Sequence, residues 1–460
     1  LIDLSLFHPS QFKAKLFAFR SQFLSNTVKE EITMRKTLIS FLLSLGFLGF
    51  AVSSAANEGT IAFVGATIID GTSAPPLENG VLVITDGRIR TVGSEADVSL
   101  PQGTQVVDVS GKYIMPGLIN AHGHVGATIG LDGNGGYSRA NLLRQLGLYA
   151  RYGVTAINSL GGDQVEGFEL RNEQFNNGLV RARIYVAGSV VVGDSEQAIR
   201  AEVNRNADMG ADFIKVRIDD NLGASEKISR PFFEALVDQA HKRRLPVAVH
   251  LYYLEDAKFM LRTGADVIAH SVRDLPIDRD FINMMNVSDT CYIPTLTREV
   301  STYIYESVPD FFQDPYFTKE VDSAIIEELS TPERMSSVAG SRAAQIYKAQ
   351  LPVAMDNLGV LHDEGIRVAM GTDTGPPARF QGYFEHMEMH MMVDAGMSPL
   401  EAIRASTGVA ADCIGMGDIG SLEPGKWGDF SILAENPAVD IRNSHSIESV
   451  YIAGNLVPIE

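Results

Sequence analysis

The 460-residue sequence is poor in cysteine and tryptophan and short of positive charge, and each shortage excludes something. Two cysteines, Cys291 and Cys413, cannot build a disulfide framework or a CxxC metal knuckle. They read as two buried free thiols, although one bridge is open to them in an oxidising compartment. Lys and Arg together number 38 against 57 Asp and Glu, a net charge of −19. A nucleic-acid partner, which needs a basic face, is therefore not expected. No GxGxxG follows an apolar run, which removes the dinucleotide-binding fingerprint. The longest apolar stretch, from Leu38 to Val52, is short for a membrane span.

That stretch follows Met34-Arg-Lys-Thr37 and precedes Ser53-Ser-Ala-Ala56. A basic start, an apolar middle and small residues at the end are the layout of a secretory signal peptide, residues 34–56. The expectation is export, to a bacterial periplasm or outside the cell, with no stable membrane anchor after cleavage. Residues 1–33 contain no methionine and read as an upstream segment foreign to the native chain.

What is present beyond residue 57 falls into two kinds of pattern. Residues 57–112 carry short alternating strands punctuated by Asp70-Gly71, Asp86-Gly87 and Gly93, the signature of hairpins. Residues 415–460 have the same character, so the two ends are expected to pair into one small β-sandwich. Between them, residues 113–414 alternate apolar runs with helical stretches such as Glu196–Met209 and Leu254–Thr263. The strand candidates are Tyr113–Ile119, Thr155–Ser159, Arg183–Ala187, Asp212–Val216, Pro246–His250, Val267–His270, Tyr292–Pro294 and Arg367–Gly371. Eight such units predict an α/β fold, a (β/α)8 TIM barrel, with a doubly wound sheet as the alternative.

A barrel collects its functional groups at the carboxyl ends of its strands. The first candidate strand runs into His122-Gly-His124, and on extended backbone residues i and i+2 face the same side. Two imidazoles so placed can converge on one metal ion, about 2.0–2.1 Å from each nitrogen for zinc. The later strand ends add Lys215, His250, His270 and Asp373. No other set of metal-capable residues falls so consistently at the ends of apolar runs.

The segments MPGLINAHGH, GADFIKV, PVAVHLYY, GADVIAHS and MGTDTG, with the tail from Pro399 to Gly408 and from Gly420 to Phe430, resemble the amidohydrolase superfamily of metal-dependent hydrolases. Within it, the chain is similar to the imidazolonepropionase-like and prolidase-like exported members, over roughly residues 60–457. The resemblance implies two divalent metal ions, with zinc the first choice and manganese, iron or cobalt equally suited to nitrogen and oxygen ligands. His122, His124 and Asp373 would hold one ion, and His250 and His270 the other. Lys215 would bridge them as a carbamate derived from CO2. A metal-bridging hydroxide would attack an amide bond in a peptide or N-acyl amino acid. Asp373 would act as general base and then acid, and Tyr252 would reach the carbonyl oxygen. The same site could act on a cyclic amide, a lactone or an organophosphate ester. A mononuclear deaminase is disfavoured by Lys215, and a non-catalytic scaffold by the full ligand set.

Substrate recognition is less legible. Arg217 and Arg273 each could clamp a carboxylate, or could pair with Asp219, Asp220 or Asp274. The prolidase-like pattern of an Arg-Asp pair before Gly-Gly is replaced here by Asn158-Ser-Leu-Gly161-Gly162, so substrate preference does not transfer from those relatives. The aromatic stretch over residues 300–350 reads as an added helical layer, or as a lid. His386 and His390 share a helix face, His241 and His445 are expected in solvent, and His362 lies at the wrong strand end. The partner is a small-molecule substrate, with a homo-oligomer also possible.

Overall fold

In the computed structural model the described residues are 59–459. The expected upstream segment and signal peptide lie outside them. Strands β1 (Thr60–Ile68), β2 (Leu77–Thr85) and β3 (Arg88–Ser94) form an antiparallel meander. Its second turn is Asp86-Gly87, both at positive φ (50° and 78°). Two left-handed residues match a tight hairpin to the right-handed twist of its strands, which is why Asp-Gly stands there. β4 (Gln105–Asp108) and β5 (Tyr113–Pro116) then run parallel to successive halves of β1.

The expected strand Tyr113–Ile119 breaks at Gly117. Gly117 N donates to Asp429 O at 3.0 Å, whereas Leu118 N donates to Gly153 O at 2.8 Å, so the pairing partner changes there. Only glycine fits the break, because an added Cβ would lie 2.0 Å from Thr155 Oγ1. Beyond it come β6 (Leu118–Gly123), β7 (Val154–Ser159) and β8 (Arg183–Val186), a parallel three-stranded sheet. β9 (Ile214–Arg217), β10 (Val247–His250), β11 (Val267–Ile268) and β12 (Cys291–Tyr292) form a second parallel sheet of four strands.

Residues 367–371 are not a strand, in contrast to expectation, but they are bonded on both sides. Tyr292 N donates to Arg367 O at 3.0 Å and Ala121 N to Met370 O at 2.9 Å. Asp212 N donates to Val186 O at 2.8 Å between β8 and β9. Thus the strands do not close into a barrel, although backbone bonds link their edges, several of them through residues 367–374. Helices Glu196–Met209 and Leu254–Thr263 have the bounds read from sequence. Each ends at a left-handed glycine, Gly210 or Gly264, that stops helix propagation.

β13 (Phe430–Leu433), β14 (Ile447–Ile452) and β15 (Asn455–Leu456) return the chain to β5. Both ends therefore share one eight-stranded sheet, where two facing sheets were expected. The sheet forks at β1, whose two halves pair with β4 and β5, and Phe63, Ile68, Leu82, Ile84, Ile114, Phe430 and Ile432 fill its core.

Two expectations are corrected. Cys291 and Cys413 are not free thiols: they form a disulfide, S–S 2.04 Å, between β12 and the end of helix Gly408–Cys413. The Cα atoms come within 5.8 Å only because the fold brings together residues 122 apart in sequence. Breaking so long a loop's cross-link by Cys413→Ala is expected to lower stability by about 2–5 kcal/mol, read as a shift in denaturation midpoint that added reductant reproduces in the parent protein. A parent midpoint insensitive to reductant would oppose this.

His445 is not solvated either. Its ring stacks on Tyr316 at 4.1 Å and lies 5.0 Å from His390, beside buried His386. Tyr316 belongs to the 300–350 stretch, whose Tyr305, Phe311, Phe312 and Phe317 cluster with Tyr383 and Phe384 as a packed layer. Burial lowers His390 and His445 from 6.5 to about 4. Between those values the unfolded chain binds protons that the folded chain refuses, so stability is lost as pH falls from about 6.5 to about 4. The melting temperature should drop across that window, and His445→Phe should flatten the drop. An unchanged profile in the variant would refute it.

Candidate metal centre

All six metal-capable residues at the strand ends line one cavity of about 430 Å³. His122 lies in β6 and His124 just beyond it, Lys215 in β9, and His250 at the end of β10. His270 follows β11, and Asp373 follows the bonded segment 367–371. His122, His270 and Asp373 offer donor atoms that all lie within 4.8 Å of one another. His122 Nε2 is 3.2 Å from Lys215 Nζ and 3.6 Å from Asp373 Oδ1. His124 bonds Asp373 Oδ1 through Nε2 at 2.8 Å and Gly161 O through Nδ1 at 3.0 Å. The His250 and His270 rings are 4.2 Å apart.

The surroundings hold these groups in place. Asp219 Oδ2 sits 3.1 Å from His250 Nε2, and Thr295 Oγ1 lies 2.7 Å from His270 Nδ1. Asp373 and Thr295 both adopt left-handed backbone, φ 57° and 51°, a strained state for side chains of this kind that the neighbours must support. Two fully buried glutamates on helix Tyr383–Asp394 give that support. Glu385 Oε1 accepts from Thr372 and Thr374, on either side of Asp373, at 2.8 and 2.6 Å, and from Asn120 at 2.6 Å. Glu388 accepts from the Leu296 and Thr297 amides, both at 2.7 Å, fixing the turn that carries Thr295.

Burial keeps three of the imidazoles neutral: it pushes His250 down to about 3 and His122 and His270 well below their usual range. Burial also lowers Lys215 from 10.5 to about 7. For Asp373 burial acts upward, but the Arg379 guanidinium and the His124 hydrogen bond overcome it and hold the carboxylate ionised. Neutral imidazoles with available lone pairs, an ionised carboxylate, and a buried His122 Nδ1 without a hydrogen-bond partner are a donor set suited to a divalent cation. Asp219 and Thr295 supply the outer contacts that orient ligating imidazoles.

The other expected residues are placed differently. Arg217 is exposed, lining both this cavity and an adjoining one of about 500 Å³, while Asp219 has gone to His250 and not to Arg217. Arg273 is buried away from the cavity, with Nε 3.0 Å from Glu299 Oε1 and Nη1 donating to Leu251 O at 3.0 Å. The Tyr252 hydroxyl donates to Gln350 Oε1, and Tyr252 does not line the cavity. Tyr253 donates to Asp220 at 2.8 Å. Sequence reading missed Arg298 and Arg379, both of which line the cavity beside Asp373. Arg379 was within reach of a local argument, six residues past Asp373; nothing local marks Arg298.

The cavity gathers donors that could hold a metal ion at the ends of parallel strands, and comparison with known proteins places the chain. A putative prolidase from Bifidobacterium longum has TM-score 0.70 at 25% identity, covering 87% of this chain and 94% of that one. A Xaa-Pro dipeptidase has TM-score 0.69 at 20% identity over 86% and 99% of the two chains. Ochratoxinase from Aspergillus niger is 23% identical over 448 residues, 85% of each chain. The Amidohydrolase family profile matches residues 113–457, and the chain belongs to that family, on its prolidase-like side.

Proposed function

We propose that this protein hydrolyses an amide bond, in a peptide or an N-acyl amino acid, with two divalent metal ions. The observation that carries the reading is the convergence of all six strand-end donors on one cavity. His122, His124 and Asp373 would hold one ion, His250 and His270 the second, and Lys215 would bridge them. A lysine lowered to about 7 is largely neutral just above neutrality. Its nitrogen can then attack CO2, forming an N–C bond and losing a proton to leave a carbamate. When bound, the ions would supply Lewis acidity and bring the pKa of water down to about 7. Asp373, held ionised beside Arg379, takes the proton of the attacking water and returns it to the leaving nitrogen. Tyr252 would have to leave Gln350 to reach a substrate carbonyl, and Tyr252→Phe tests that by its effect on kcat.

We read the parallel strands β6 to β12 and the segment 367–371 as one (β/α)8 barrel, the domain expected over residues 113–414, with the shared sheet built from both ends of the described residues, β5 included, as the small domain. The disulfide favours an oxidising compartment and so supports export. Among the described residues no helix is long and apolar enough to cross a membrane.

The test is a metal count on the purified protein, followed by turnover of dipeptides and N-acyl amino acids. Two ions per chain with amide hydrolysis are expected. One ion at full activity would reopen the deaminase reading, and two ions without amide hydrolysis would move the search to lactones and phosphoesters.

A further inference from the structure

Arg379 is the cation in direct contact with Asp373, and what aims it lies outside the metal cavity. The chain between them turns at Pro376-Pro377-Ala378-Arg379, where Arg379 N donates to Pro376 O at 3.1 Å. The guanidinium then reaches back, its Nη1 contacting Asp373 Oδ2 and donating to Asp373 O at 3.3 Å. The third residue of the turn, Ala378, has φ 62°. A turn with proline second and positive φ third follows the type II pattern, which takes glycine or asparagine in that third place. Alanine has neither the freedom of glycine nor a polar side chain to bond nearby backbone. Its conformation must be supported by something else.

The support comes from the aromatic layer. Tyr305, in the 3-10 turn Ile304–Glu306, is 1% exposed, and its hydroxyl donates to Ala378 O at 2.6 Å. Among the described residues that is the hydroxyl's one hydrogen bond. Stacking on Phe312, at 6.1 Å, needs only the ring. Phenylalanine would fill the same space without burying a hydroxyl, which costs free energy unless the group is bonded. The oxygen is therefore accounted for by the carbonyl it reaches. Beyond the turn the loop is tied down separately, where Gln381 Nε2 donates to His124 O at 2.9 Å.

We infer that Tyr305 is a positioning residue for the reaction: its hydroxyl holds Ala378 in the left-handed turn, and the turn aims the Arg379 guanidinium at Asp373. Tyr305 does not line the metal cavity, whereas Arg379 does, so the residue acts through another. Its part in the reaction rests on the reading of Asp373 as proton carrier; its hold on Arg379 does not.

Tyr305→Phe removes one oxygen and keeps the ring. It should lower kcat by ~10-fold or more with KM within ~2-fold of the parent, because a misaimed Arg379 affects the proton step and leaves substrate contacts in place. In an Ala378→Gly background, where the turn needs no support, the same change should cost at most ~2-fold. An unchanged kcat in Tyr305→Phe, or equal losses in the two backgrounds, overturns the assignment. The metal-free protein gives a readout independent of turnover. With 15N-labelled arginine, the Arg379 guanidinium protons, identified by their absence in Arg379→Lys, should exchange slowly in the parent and rapidly in Tyr305→Phe. Equal exchange in the two would overturn the hold on Arg379. If the parent hydrolyses no amide yet the exchange still depends on Tyr305, the functional reading fails and the positioning of Arg379 stands.

Discussion

Asp373→Asn is expected to lower kcat by about 10²–10⁴-fold, the range associated with loss of a positioned proton carrier. Asparagine has nearly the same shape, so it can keep the contact with His124 and the left-handed backbone, but its carboxamide cannot take up a proton from water. KM should move much less than kcat, because Asp373 is assigned to the proton and not to holding the substrate. The change also removes a negative charge from between Arg298 and Arg379. Metal content measured alongside kcat separates two routes to inactivity. Retained metal with a collapsed kcat supports the proton role, whereas loss of metal in proportion to activity would reduce Asp373 to a ligand. A kcat within about threefold of the parent would remove it from the chemistry altogether.

Lys215→Ala should bring the metal content from two ions toward one, with turnover falling by about 10²-fold or more, on the scale seen when a metal site loses an essential partner. The metal-free protein offers an independent readout. Lys215 lies near 7 in the fold and at 10.5 when unfolded. Between those values the unfolded chain carries a proton that the folded chain does not, so stability of the metal-free protein rises with pH across the window. Lys215→Met, which fills the same space without a charge, should abolish that slope. Two ions and full turnover in Lys215→Ala would end the bridging role; an unchanged slope in Lys215→Met would mean the amine is not buried in the way described.

Much of this site was legible without coordinates because its parts are local. A strand buried on both faces reads as an apolar run, and the polar residue where the run stops is where the sheet ends. His122, His124, Lys215, His250, His270 and Asp373 were all found by that rule, and all six line the same cavity. Family motifs then attached roles to them. Helix bounds at Gly210 and Gly264 were equally local, set by residues that tolerate left-handed backbone.

Other features depend on groups that are neighbours only in space. Cys291 and Cys413 looked like separate thiols, since spacing does not state distance, and the fold joined them. His445, in a polar tail, became the stacking partner of Tyr316. Arg273 had the right spacing from His270 but turned inward to Glu299, while Arg298, with no motif around it, came to line the cavity. By itself the sequence determined which residues can bind a metal and that they sit at strand ends, because periodicity and turn chemistry act over a few residues. Only the tertiary structure decided which charges are matched and which are left over, because electrostatic pairing in a buried site is settled by the through-space distances of residues far apart in the chain.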